Sequence, residues 1–261
     1  MNDDRYAQYG AVTGIVFVVL IVIGFLIVTP TPPDLNAASD EWPRYFSEEQ
    51  GAIRAGLVLV TIGWFFFIWF LGTVASTLRI AAGTPRLPSI AFAGGILTAG
   101  SLFMAIAALA VATLHPETRS PELTRTLNDF AVMAGVPAIA GAVAFFGAIA
   151  LVIFRSPSAL PIWLAWLSAT AAAVQLLSFG IIFTDEGAFA GDGVLGLFIP
   201  LAVALVTVAA LSALLTAWAR DAARPGGIGI TDRIRGGVTG AVTGAAAGVR
   251  GERPPTQRPP Q

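Results

Sequence analysis

The chain has 261 residues, of which 56% are apolar and only 12% charged, and its mean hydropathy is +0.77. A soluble domain carries about 25% charged residues, so an ordinary soluble globule is excluded, as is a disordered chain, which would be poor in apolar residues. The composition leaves a polytopic membrane protein. There is no cysteine and a single histidine, His115. Disulfide frameworks, thiolate sites and multi-histidine zinc or haem centres therefore lack their ligands, and no metal or other cofactor is expected. All fifteen basic residues are arginine. That usage, with abundant alanine and glycine, points to a GC-rich bacterial genome.

A membrane-spanning helix needs roughly 20 mostly apolar residues. Six stretches qualify, at about 11–28, 53–78, 90–114, 130–154, 160–183 and 194–218. Each is apolar on all sides, and none shows the ten-residue alternation of a membrane barrel. Backbone groups in lipid must be satisfied within the segment, which makes these stretches helices. The expected fold is all-α, a polytopic transmembrane bundle of six spans occupying 1–221, followed by a tail over 222–261. The first stretch is an apolar run of 18 residues flanked by Asp3 and Asp4. It reads as a retained span and not as a signal peptide, whose apolar core is about 7–15 residues.

The connection over 29–52 opens with Pro30, Pro32 and Pro33, a stiff extended exit. Ser47 with Gln50 three residues later is a capping-box pattern, so Ser47 is the expected N-cap of an extended second helix. Trp42, Tyr45 and Phe46 are then expected at the outer interface. In the second span, Trp64 to Phe70 is a bulky aromatic run; lipid contact and packing is its plain reading, an aromatic ligand cage the alternative. Pro137 interrupts the fourth span and Pro200 the sixth. The acidic connection 185–193 does not match the spacing of a calcium loop. From 222 the chain is rich in Gly, Ala, Arg and Pro and is expected to be a flexible tail. Its Gly236, Gly240, Gly244 and Gly248 leave a glycine-striped helix as the alternative.

Arginine placement sets the orientation. With both termini cytoplasmic, eleven arginines lie inside and four (Arg44, Arg54, Arg119, Arg125) outside, while the acids divide five inside and eleven outside. Tyr6, Tyr9, Trp163, Trp166 and Trp218 fall at span ends, where amphipathic rings are comfortable.

No nucleophile elbow, zinc-binding helix, Walker loop or dinucleotide fingerprint is present, so no catalytic residue is assigned. Polar residues within spans carry more weight because burying them is costly. Arg54 and Asp129 lie at similar depth at the outer ends of the second and fourth spans and form a candidate interhelical pair. The local alternative is Arg125 with Asp129, four residues apart on one helix. Gln175, near the middle of the fifth span, is either a cross-helix hydrogen bond or part of a solute site. Gly10, Gly14, Gly56 and Gly63 suit close helix contact within or between chains.

The stretch from Tyr45 to Gly56 (YFSEEQGAIRAG), followed by Trp69-Phe70-Leu71-Gly72 and Ala91-Phe92-Ala93-Gly94-Gly95, resembles a group of uncharacterised actinobacterial six-span integral membrane proteins. The resemblance covers the spans and not the tail. It implies the bacterial plasma membrane and carries over no catalytic residue. The expected function is that of a non-catalytic accessory or scaffold protein binding lipid or a membrane partner. The alternative is a small secondary transporter or channel with Arg54, Asp129 and Gln175 along a ligand or ion pathway. The expected partners are the lipid bilayer and a membrane protein or a second copy of the chain, with no nucleic acid.

Overall fold

A computed structural model describes residues 3–28, 32–157, 159–222, 232–234 and 236. The α-helices are α1 (Asp3–Val28), α2 (Glu41–Glu48), α3 (Gln50–Ala82), α4 (Arg86–Ala112), α5 (Pro121–Ala134), α6 (Val136–Arg155), α7 (Ile162–Gln175) and α8 (Ile199–Ala222), and no strand occurs among the described residues. Six segments are long and apolar enough to cross a membrane: Tyr9–Ile27, Gln50–Ala82, Arg86–Ala112, Pro121–Arg155, Ile162–Ile182 and Val194–Asp221. They coincide with the six expected spans.

The six spans form a closed ring in chain order. α1 packs on α3, α3 on α4, α4 on α6, α6 on α7 and α7 on α8, and the ring closes where α8 meets α1. An even number of spans brings the start of α1 and the end of α8 to one end of the bundle, and Ser212 of α8 donates to the Ala11 carbonyl of α1. Connections 32–40, 113–120 and 183–193 gather at the other end, here called the acidic end. The helices present apolar side chains outwards as well as inwards; Val19, Phe65, Trp69, Met104 and Val206 are exposed. That is the surface lipid requires.

Close helix approach explains the glycines. A methyl at Gly14 would stand 2.8 Å from the Phe70 ring, one at Gly63 3.2 Å from Ile21, and one at Gly10 would collide with Thr73. These positions serve contacts between α1 and α3 within the chain. Gly83, at φ +63°, closes α3 in the left-handed conformation that only glycine adopts without cost. Ser120 caps α5, its hydroxyl accepting from the Leu123 N–H at 3.3 Å, with Pro121 next to it in the first turn.

Ser47 does not cap the second spanning helix. α2 runs through it to Glu48, and α3 begins at Gln50 after Glu49. Burial decides this: Trp42 and Phe46, four residues apart, sit on one face of α2 and are 2% and 1% exposed. They pack on Ile53 and Leu57 of α3 and Ala112 of α4, a small second core at the acidic end. Trp42 and Phe46 are thus buried within the protein at its acidic end. Tyr45 is half-buried beside them, and burial together with the neighbouring Glu49 carboxylate pushes its phenol up to about 12 from 10.0.

The aromatic run of α3 divides by helical period. Trp64, Phe67 and Phe70 face the ring interior, whereas Phe65 and Trp69 face outwards. Most of the region 222–261 lies outside the described residues, including Gly240, Gly244 and Gly248. Within it, Ala222 ends α8 and Ile234 is fully buried in the main core. Next to Ile234, the Arg233 guanidinium stands 5.6 Å from the Trp218 ring centroid and 3.6 Å from Asp221.

Candidate functional site

Between the spans lies a partly open cavity of about 350 Å³ lined by residues from every one of the six. One wall is aromatic. Phe17 lies 5.0 Å from Trp64 and 4.8 Å from Phe67, and Phe67 lies 5.8 Å from Phe145, centroid to centroid. Ile21, Leu102, Ile139, Leu201 and Val208 continue the apolar lining, and the amides and hydroxyls on it come from Thr98, Asn128, Gln175 and Ser178. Ligand sites typically span roughly 300–1,000 Å³ and combine an apolar wall with a few polar groups. This cavity has both properties.

Among the described residues of the spans, regular α-helical hydrogen bonding is interrupted at three places, and residues from all three line the cavity. The fourth span breaks at Gly135, between α5 and α6. The fifth tightens into a 3₁₀ run of seven residues, Leu176–Ile182. The sixth opens with a π-helical turn, Val194–Phe198. Gly135, Ser178, Ile181, Gly196 and Leu197 from these segments line the cavity. Long 3₁₀ runs are uncommon, and π turns cluster at functional sites. Irregular backbone at membrane depth is tolerated where it is buried in protein or lines a cavity. The two prolines fit these breaks. Pro137 stands in the first turn of α6, and Pro200 is the second residue of α8. Both occupy helix starts, where a missing N–H costs little.

A second space of about 340 Å³ adjoins the first at the acidic end. Val132 and Ile181 line both. Leu35, Arg125, Asp129, Phe183 and Asp185 complete this polar vestibule. Its rim is built from the 32–40 segment. The Arg125 guanidinium donates to the Ala37 and Leu35 carbonyls at 3.2 and 3.3 Å. Asn36 donates to Glu186 at 3.0 Å, and the Leu35 N–H donates to Asp192 at 3.4 Å. These bonds clamp the segment between α5 and the 183–193 connection.

The three residues singled out from the sequence have separate surroundings. Gln175 lines the cavity, and its Nε2 donates to the Pro200 carbonyl across to α8 at 3.2 Å. Asp129 lines the vestibule, with its carboxylate 3.9 Å from Arg125 Nε. This is the local pair, not the interhelical one. Arg54 is turned to α4. It donates to the Thr113 carbonyl at 2.7 Å and the Thr113 hydroxyl at 3.3 Å, and Gln50 donates to the same carbonyl at 2.8 Å. Arg54 thus satisfies a C-terminal carbonyl of α4 that has no partner within its own helix, a role suited to a cation. The structure does not join Arg54 to Asp129 among the described residues.

Asn128 was not singled out from the sequence. It is buried, lines the cavity, and its Nδ2 has no hydrogen-bond partner among the described residues. The available signal was an uncharged amide beside Asp129. One residue along a helix turns the side chain by about 100°, so Asn128 faces the cavity and Asp129 the vestibule. No protein-family model, no curated protein and no solved structure matches this chain.

Proposed function

We propose that this chain is a non-catalytic multi-pass protein of a bacterial plasma membrane that binds a lipid or a comparable small apolar molecule within its helical ring. The observation that carries the reading is the cavity of about 350 Å³ bordered by all six spans. An unfilled apolar space forfeits dispersion contacts along its lining, and an apolar ligand restores them. When the six stretches alternate across the membrane, eleven of the fifteen arginines in the sequence fall on the side of both termini, and this excess supports a cytoplasmic location for them. The resemblance to actinobacterial six-span proteins agrees with that membrane. An accessory role, presenting the bound molecule to a membrane partner, follows from the absence of a catalytic motif in the sequence.

A second reading, a small carrier, draws on one observation: the cavity and the charged vestibule share Val132 and Ile181. A solute moving between them would pass Asp129. Uptake into vesicles that depends on pH and disappears in Asp129→Asn would favour the carrier.

Native mass spectrometry of gently extracted protein tests the binding reading. The expected result is a bound lipid or small molecule of defined mass, lost in Ala105→Phe and Ala204→Phe. Both positions line the cavity, and a phenyl ring there fills it. Bare wild-type protein, or an adduct that survives both substitutions, would sink the reading.

A further inference from the structure

We infer that the molecule held in the cavity is uncharged and carries a carbonyl oxygen, and that Asn128 is the residue that donates to it; this rests on the binding reading above. Asn128 is 8% exposed, and its Nδ2 has no partner among the described residues. An orphaned buried donor costs about 1–3 kcal/mol, a penalty that a ligand oxygen relieves. The other amide and one hydroxyl of the lining are already engaged. Gln175 donates to Pro200, and Thr98 donates to the Gly94 and Ala138 carbonyls at 3.0 and 3.2 Å. Among the described residues that line the cavity, Asn128 alone carries a fully buried side-chain polar atom without a partner.

The chemical class follows from what surrounds it. No charged residue lines the cavity, so an ionised group there would lose its hydration without a counter-charge. A carbonyl brings an acceptor and no donor of its own, so pairing with Asn128 leaves nothing new unsatisfied. Asn128 lies one helical turn before Val132, which lines both spaces. The carbonyl end of the ligand thus lies towards the vestibule, and its apolar body extends towards Phe67 and Phe145. An acyl ester and an isoprenoid quinone both present this chemistry.

The test compares two lipids that differ at that one group, monooleoylglycerol (an ester) and its oleyl ether analogue, on the full-length protein by native mass spectrometry. A decyl-substituted benzoquinone is the third probe. Wild type is expected to bind the ester roughly five- to tenfold more tightly than the ether, the effect of one hydrogen bond. Asn128→Leu is expected to bind ester and ether alike. Quinone binding that displaces the ester and weakens in Asn128→Leu would support the same inference and identify a quinone as the better ligand. Equal binding of ester and ether by wild type would overturn the inference while leaving the binding reading intact, and this comparison does not depend on the variant folding. A preference that survives in Asn128→Leu would also overturn it. Binding of none of the three probes would overturn the binding reading itself.

Discussion

Gly94 of α4 and Gly141 of α6 approach so closely that a methyl on either would stand 2.6 Å from the carbonyl oxygen of the other. The contact is backbone to backbone. Thr98, one turn on from Gly94, adds a hydroxyl that donates both to its own helix at Gly94 and across to the Ala138 carbonyl. Hydrocarbon offers no hydrophobic drive between helices, so packing at small residues and cross-helix hydrogen bonds hold such pairs together. This crossing fixes α6, which carries Ala138, Ile139, Ala142 and Phe145 into the cavity wall.

Gly94→Ala and Gly141→Ala should each destabilise the protein, because the added methyl meets backbone that cannot swing aside. Overpacking of this kind costs about 1–3 kcal/mol. Gly100→Ala and Gly147→Ala provide the contrast. Nothing lies within 4 Å of a methyl at either position, and alanine should gain up to about 1 kcal/mol of helix propensity there. Thermal unfolding of the purified variants in detergent would separate the two pairs. Four equal shifts would contradict the crossing.

Arg54 should couple to Thr113 of α4 and not to Asp129. Arg54→Met removes two donors from the α4 terminus and should cost on the order of 1 kcal/mol. Asp129→Asn should leave that junction alone. In a double-mutant cycle, Arg54→Met with Asp129→Asn should be additive within a few tenths of a kcal/mol, as for independent sites. The swap of Arg54→Asp with Asp129→Arg should restore nothing. A rescue by the swap would mean that the two charges meet.

Tyr45 makes the small core at the acidic end sensitive to alkali. Its folded phenol ionises near 12, above the ordinary 10.0, because burial and then Glu49 oppose the phenolate. The folded state therefore favours the protonated form more than the unfolded state does. That contribution is complete below pH 10 and is lost as pH rises through about 12. The difference in phenolate absorbance between wild type and Tyr45→Phe should show a single titration near the upper value. Unfolding of wild type between those limits should be partly relieved in Tyr45→Phe. A difference titration centred on 10 would refute the burial argument.

The number and position of the spans were legible because hydropathy is a local sum. The stretch expected at 194–218 appears as Val194–Asp221, and the one at 90–114 as Arg86–Ala112. The interruptions near Pro137 and Pro200 were legible for the same reason, since a missing N–H is a property of one residue. Ser47 shows where local reasoning ended. Its capping pattern was present, but the burial of Trp42 and Phe46 against α3 and α4 carried α2 past it. That competition involves residues more than 60 positions apart.

The sequence by itself determined the class of this protein: an all-helical chain with six stretches long and apolar enough to cross a membrane, joined at one end by acidic connections. Those properties depend on composition and on short windows. Tertiary structure alone decided that the spans close into a ring, that the irregular turns of three spans border one cavity, and that Asn128 faces it while Asp129 faces the vestibule. It also turned Arg54 to Thr113 rather than to Asp129. Each of these depends on the rotation of one helix against its neighbours. The spans are apolar on nearly every side, so no stripe in the sequence marks which side faces inwards. Glycine contacts such as Gly94 with Gly141 set that rotation, and they exist only once both helices are in place.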